Sequence, residues 1–204
     1  MSSPRDHGST GSTIYLHGRG DAAPGLEPGE SVRAFEWRSP LILPVLGPDF
    51  CGMRFADQIS MVDGWTHDGV VTGLGHSYGS WVLLALAEER QKRGQSWPFL
   101  ILMGSLLGCS RPADGPGFIA PRARKLRVAL GLDGHEPSLA RERISFVFGA
   151  DDTHTDRIDV DALAHHYEVH VVEDTGHRLD SPRARALLRG LFIRRLGSPG
   201  GPRP

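Results

Sequence analysis

The chain is short of cysteine, of net charge and of long apolar runs, and each shortage narrows what it can be. Only Cys51 and Cys109 occur in 204 residues. Two thiols do not build a disulfide framework, and no Cys-x-x-Cys spacing suggests zinc or redox work. Lys and Arg total 23 against 24 Asp and Glu, a formal net charge of −1. That balance argues against the strongly basic surface of a nucleic-acid binder and against a polyacidic tail. No stretch of eighteen apolar residues reads as a membrane span. Residues 1–12 are polar and rich in Ser and Gly, without the apolar core of a signal peptide. The expectation is a cytoplasmic protein in reducing surroundings, with neither nucleic acid nor membrane as partner.

What is present is ordinary globular material: 39% hydrophobic and 23% charged residues. The length suits one domain. It is expected over residues 13–196, with flexible tails at 1–12 and at the Gly/Pro-rich 197–204. Short apolar runs at 13–16, 41–43, 70–74, 98–103, 144–148 and 169–172 read as buried strands. Helical spacing predicts helices over 55–62, 80–93, 121–132, 159–166 and 182–196. Gly94 is a natural stop for the second of these. Asp180 or Ser181 caps the last, and Pro182 sits in its first turn. Strands alternating with helices imply an α/β fold, a mostly parallel sheet with helices on both faces. Residues 104–117 read as loop. They are a candidate lid, too short for a separate cap domain.

The strongest chemical signal is Gly75-His76-Ser77-Tyr78-Gly79, a Gly-x-Ser-x-Gly pentapeptide between an apolar strand and an apolar helix. A serine on so tight a turn is backbone-strained, and small neighbours let the turn close. A plain Gly-rich turn with a capping serine is the blander alternative. A dinucleotide fingerprint fails, because Tyr78 stands where its third glycine belongs, and no Walker-type Gly-Lys-Ser/Thr exists.

A serine nucleophile needs a base, and the base needs an orienting carboxylate. Of ten histidines, His177 lies directly after the last strand and before the final helix. The carboxyl ends of parallel strands are where open α/β sheets build sites. His165, His166 and His170 read as helix-end and strand residues without metal-site spacing. After the penultimate strand, Asp151 and Asp152 are both candidate carboxylates. Residues 151–156 lack the alternation and glycine of a calcium loop, though a simple acidic turn remains open. The basic run Arg122, Arg124, Lys125 and Arg127 reads as a solvated helix face, with an acidic substrate or a phosphopantetheine-bearing carrier as the sharper alternative. Cys51 and Cys109 read as structural thiols.

These residues resemble the α/β-hydrolase superfamily over about residues 13–196, and the chain order Ser77, Asp, His177 is that family's order. The resemblance implies a minimal α/β-hydrolase fold without a cap. It favours Asp152, the third residue after Gly149, over Asp151. It also matches His17-Gly18 to the family's pair after an early strand. The backbone N–H of Arg19 would then join that of Tyr78 in an oxyanion hole. The implied activity is cleavage of carboxylic esters through an acyl-enzyme, with a small acyl substrate and neither cofactor nor metal. A serine in the elbow speaks against epoxide hydrolysis and dehalogenation. A thioesterase of lipid or secondary metabolism is the nearest alternative, and a non-catalytic binding protein on the same fold the more distant one.

Overall fold

The computed structural model describes residues 12–18, 29–37, 40–44, 46–66, 70–95, 97, 99–105, 119–132, 134–155 and 157–196. Side chains at 70–71, 119–123 and 196 are not among them. Six strands form one sheet: β1 (Ser12–Leu16), β2 (Leu41–Ile42), β3 (Val70–His76), β4 (Phe99–Met103), β5 (Ile144–Gly149) and β6 (Glu168–Val172). Their order is β2-β1-β3-β4-β5-β6, and every pairing is parallel. All six coincide with apolar runs read from sequence. Ser12, expected in the tail, opens β1.

Strand side chains alternate between the two faces, and each face has its own core. Ile14, Leu16, Leu100, Leu102, Ile144, Phe146 and Phe148 pack on one side with α3 (Phe55–Thr66), α4 (Tyr78–Lys92), α5 (Ile119–Ala129) and α6 (Arg157–Ala164). Tyr15, Leu74, Phe99, Ile101, Met103 and Val147 face the other way, against α1 (Gly29–Ala34) and α7 (Pro182–Leu196). The central strands are therefore mostly apolar rather than alternating, as coverage on both faces favours: β4 is apolar at every position, and Thr13, Thr72, His76 and Ser145, polar residues of β1, β3 and β5, are buried too. The short α2 (Pro48–Gly52) adds Phe50 to the first core.

Helix α4 begins within the pentapeptide and is buried on all sides from Tyr78 to Leu86. It starts two residues earlier than its periodicity predicts, because Tyr78 and Gly79 already belong to it. Gly94, at φ +73, ends it as expected, with Gln95 N–H returning to Arg90 O at 2.8 Å. At its far end Arg90 is only 8% exposed. There it pairs with Asp63 of α3 at 2.8 Å and lies over the Trp97 ring. Burial pushes the Asp63 carboxyl up, but hydrogen bonds from Arg93 and Arg90 leave it below the ordinary range. In α7, Ser181 is the capping residue, its Oγ accepting from Ala184 N–H at 3.2 Å.

Candidate functional site

Ser77 sits between β3 and α4 with φ 52 and ψ −115. A non-glycine residue there carries strain of about 1–3 kcal/mol, which the surroundings must hold in place. Three contacts do so. Ser77 N–H donates to Met103 O of β4 at 2.8 Å. A side chain on Gly75 would lie 2.6 Å from Ser80 Cα, so strand and helix meet backbone to backbone there. A side chain on Gly79 would lie 2.1 Å from Leu16 O, which brings the end of β1 against the first turn of α4. Both pentapeptide glycines are thus needed for close approach. Tyr78 is anchored away from the turn, its hydroxyl donating to Gln58 Oε1 at 2.5 Å. Gln58 in turn donates to Phe50 O at 2.8 Å.

The loops after β5 and β6 carry the other two groups. They also touch through backbone, since a side chain on Gly149 would lie 2.3 Å from both Thr175 O and Gly176 O. Ala150 N–H donates to Val172 O at 2.8 Å and Asp151 N–H to Thr175 O at 3.0 Å. This juxtaposition puts Asp152 beside His177, with His177 Nδ1–H donating to Asp152 Oδ2 at 2.9 Å. On the other edge of the ring, Ser77 Oγ–H donates to His177 Nε2 at 2.8 Å. Three residues from three loops, 100 and 25 positions apart in sequence, form one hydrogen-bonded chain. Of the two carboxylates left open by the sequence, Asp152 is the buried one and Asp151 is exposed.

Asp152 accepts more than the imidazole. His154 N–H donates to its Oδ1 at 2.8 Å and the Thr155 hydroxyl to its Oδ2 at 3.1 Å. Burial alone would push the carboxyl up, but these bonds and the His177 ring hold it below the usual carboxylate range. It therefore stays ionised and acceptor-only where it meets the ring. The His177 backbone is also fixed, its carbonyl accepting from His76 Nε2–H at 2.9 Å. Beneath the ring, Gly104 at φ +53 leaves room that a side chain would fill at 3.2 Å from His177 Cε1.

His17 has a structural part. Its Nε2 accepts from Leu46 N–H at 2.8 Å and its Nδ1–H donates to Gly18 O at 2.7 Å, so the loop after β1 is clamped to the segment before α2. Tyr78 is the first residue of α4, which places its backbone N–H at the helix N-terminus beside Ser77. Arg19, residues 106–117 of the candidate lid, Cys109, both tails but for Ser12, and the Arg122 side chain lie outside the described residues. Arg124 and Lys125 are exposed, whereas Arg127 pairs with the buried Asp159 at 2.6 Å. Cys51 donates its thiol to Leu46 O at 3.7 Å. His170 pairs with Glu168 at 3.1 Å, far in role from the Ser77 chain. A cleft of about 400 Å³ between α1 and α7 is lined by Glu30, Phe35, Arg185 and Arg189, and includes none of Ser77, Asp152 or His177. Among the described residues no helix is long and apolar enough to cross a membrane.

Sequence reasoning missed His154, whose ring lies 4.6 Å from that of His177. It also missed the supports supplied by His76, Thr155 and the Gly149 contact. Only Gly149 left a readable trace, as a glycine ending a strand.

A parallel sheet with a strained serine between its third strand and the following helix, and Asp and His on the loops after the last two strands, is the α/β-hydrolase architecture. The comparisons with solved structures agree. The NocB thioesterase domain, in covalent complex with a fluorophosphonate nocardicin G analogue, matches with a TM-score of 0.60 at 19% identity, covering 93% of this chain and 96% of that one. The RedJ thioesterase of the prodiginine pathway in Streptomyces coelicolor matches at 0.58 and 14% identity, covering 94% and 95%. A Xanthomonas campestris protein described as a hydrolase of the α/β superfamily matches at 0.57 and 19%, covering 90% and 99%. No family model matches the chain, and no curated protein matches it in sequence. The chain has the α/β-hydrolase fold, over nearly the full length of these neighbours.

Proposed function

We propose that the protein is a serine hydrolase cleaving small acyl esters, oxygen or thio, through an acyl-enzyme. The observation that carries this reading is the unbroken hydrogen-bond path from Ser77 Oγ through His177 to a buried, ionised Asp152. Ser77 attacks the substrate carbonyl carbon while its proton passes to His177 Nε2. Asp152 holds the ring with Nδ1–H toward itself, so that Nε2 is the free base, and it stabilises the imidazolium that forms. The negative charge on the former carbonyl oxygen is met by the backbone N–H of Tyr78; the family resemblance implies a second donor in the N–H of Arg19, which lies outside the described residues. A donor of this kind is worth about 3 kcal/mol in comparable sites. His177 then protonates the leaving alcohol or thiol. Water, deprotonated by the same nitrogen, releases the acid and restores Ser77.

Oxygen esters and thioesters require the same groups. The thioesterase reading draws support from the NocB and RedJ neighbours, whose match is one of fold. The deciding assay compares kcat/KM for an acyl-thioester and an oxygen ester of the same short acyl chain. Thioester preference of tenfold or more supports a thioesterase, and the reverse an esterase. Hydrolysis of neither, by folded protein, overturns the enzymatic reading in favour of a non-catalytic protein on this fold.

A further inference from the structure

We propose that Asp152, His177 and His154 together form a site for a divalent transition-metal ion of zinc type, and that its occupancy switches off the Ser77 chemistry. The inference goes beyond the proposed hydrolase, and only its second half rests on that reading. The three residues each present one ligand atom, all within 4.8 Å of one another. Asp152 Oδ2 lies 2.9 Å from His177 Nδ1, and Asp152 Oδ1 lies 3.5 Å from His154 Nδ1. Ligand atoms on a tetrahedral zinc, at bond lengths of about 2.0–2.2 Å, stand roughly 3.3 Å apart. The carboxylate–His177 pair needs to open by only a few tenths of an ångström. The His154 side chain is 62% exposed and can turn on its own χ angles to complete the set. Two imidazoles and one carboxylate leave the fourth position to water.

Donor chemistry sets the selectivity. Two nitrogen ligands suit zinc, copper, nickel or cobalt, and disfavour magnesium and calcium, which want oxygen. The loop presents the ligands without a large rearrangement. Asp152 is fixed by His154 N–H and the Thr155 hydroxyl, and the His177 carbonyl is held by His76.

The consequence for Ser77 follows from the tautomer. A metal at Nδ1 takes the place of the proton His177 donates to Asp152. The ring stays neutral by losing that proton to solvent and taking one at Nε2. Nε2–H then donates to Ser77 Oγ and has no lone pair left to accept the serine proton. Asp152, as a metal ligand, no longer orients the ring.

His154 separates this site from the catalytic chain, because it bonds neither Ser77 nor His177 through a side-chain nitrogen. The test uses the full chain, with Co²⁺ absorption in the visible as the direct readout and Zn²⁺ as competitor. Wild type is expected to show the d–d bands of bound Co²⁺, displaced by Zn²⁺ and unaffected by Mg²⁺. His154→Ala should weaken Co²⁺ binding at least about tenfold, and inhibition is read in each protein against its own metal-free rate. Zn²⁺ should inhibit wild type reversibly, with a chelator restoring activity, and His154→Ala should need at least tenfold more. Absence of bound Co²⁺ in wild type overturns the proposal. So does equal binding by wild type and His154→Ala, which would place the ion on other histidines. The spectra decide the site even if the protein hydrolyses nothing, so failure of the metal site and failure of the hydrolase reading are told apart.

Discussion

Gly149→Ala probes the contact that builds the site rather than a group that reacts. The new methyl would lie 2.3 Å from Thr175 O and Gly176 O, both backbone atoms. Ordinary carbon–oxygen contact begins near 3.4 Å, so one loop must retreat by about 1 Å. Asp152 stands three residues after Gly149 and His177 one after Gly176, so their 2.9 Å bond takes the displacement directly. So does the 2.8 Å bond from Ser77 to the same ring. A misplacement of about 1 Å costs on the order of 10² in rate, and overpacking of this kind about 1–3 kcal/mol in stability. Gly190→Ala is the control. It lies mid-helix in α7 with nothing within 4 Å of the new methyl, and should stabilise by about 0.5–1 kcal/mol at full activity. Ester hydrolysis and urea unfolding of both variants give the answer. A Gly149→Ala protein as active and as stable as wild type would refute the claim that this backbone contact sets the spacing of Asp152 and His177.

Asp152→Asn is expected to fold and to lose about 10⁴ in kcat, the cost of the wrong imidazole tautomer in the serine-protease triad that is the reference case; the exposed Asp151→Asn should lose no more than a few-fold, and the reverse ranking of the two rates would move the carboxylate by one residue. Acid should weaken the β6–α7 seam. Burial pushes the Glu168 carboxyl up, yet hydrogen bonds from Ser145, Arg195 and His170 bring it down to about 2. Because the folded value is depressed, its contribution is full above the unfolded value of 4.5 and is lost as pH falls toward about 2. Urea unfolding should show Glu168→Gln less stable than wild type at pH 6, by about 2–3 kcal/mol at most after solvent screening, with the gap closing toward pH 2; a constant gap would contradict the linkage. Arg90→Ala, which leaves Asp63 with Arg93 as its remaining partner and uncovers the Trp97 ring, should cost about 2 kcal/mol and lower Tm by roughly 4–8 °C. Removing Arg54 from the exposed Arg54–Asp57 pair, at the same 2.8 Å, should lower Tm far less, and equal losses would mean burial does not govern these pairs.

The parts of the molecule legible in the sequence are those written locally. An apolar run marked each of the six strands because parallel strands covered on both faces are mostly apolar rather than alternating. Ser77 was legible because its turn demands glycine on both sides within five residues. His177 followed from its place after the last strand. The choice of Asp152 over Asp151 came from resemblance, since two adjacent carboxylates differ only in which one the loop turns inward. Helices α1 and α2 were missed, being only six and five residues long, too short for a 3.6-residue period to show. The clamp of His17 on Leu46, the hold of His76 on the His177 carbonyl and the His154 ring beside His177 join segments that the chain separates by up to 101 positions. Contacts of that kind have no local periodicity or motif to announce them.

The central claim is that Ser77 is the acylated nucleophile, and covalent labelling tests it most directly. The folded protein is treated with a fluorophosphonate and the adduct is located by peptide mass spectrometry. One adduct is expected, on Ser77, and it should vanish in Ser77→Ala while the variant stays folded. Ser80 and Ser105 are the near rivals, but both are fully buried, and the Ser80 hydroxyl already donates to Met103 O at 3.2 Å. An adduct on either of them, or labelling that survives in Ser77→Ala, would contradict the assignment. A folded wild type that takes no label at all would contradict the serine-hydrolase account itself.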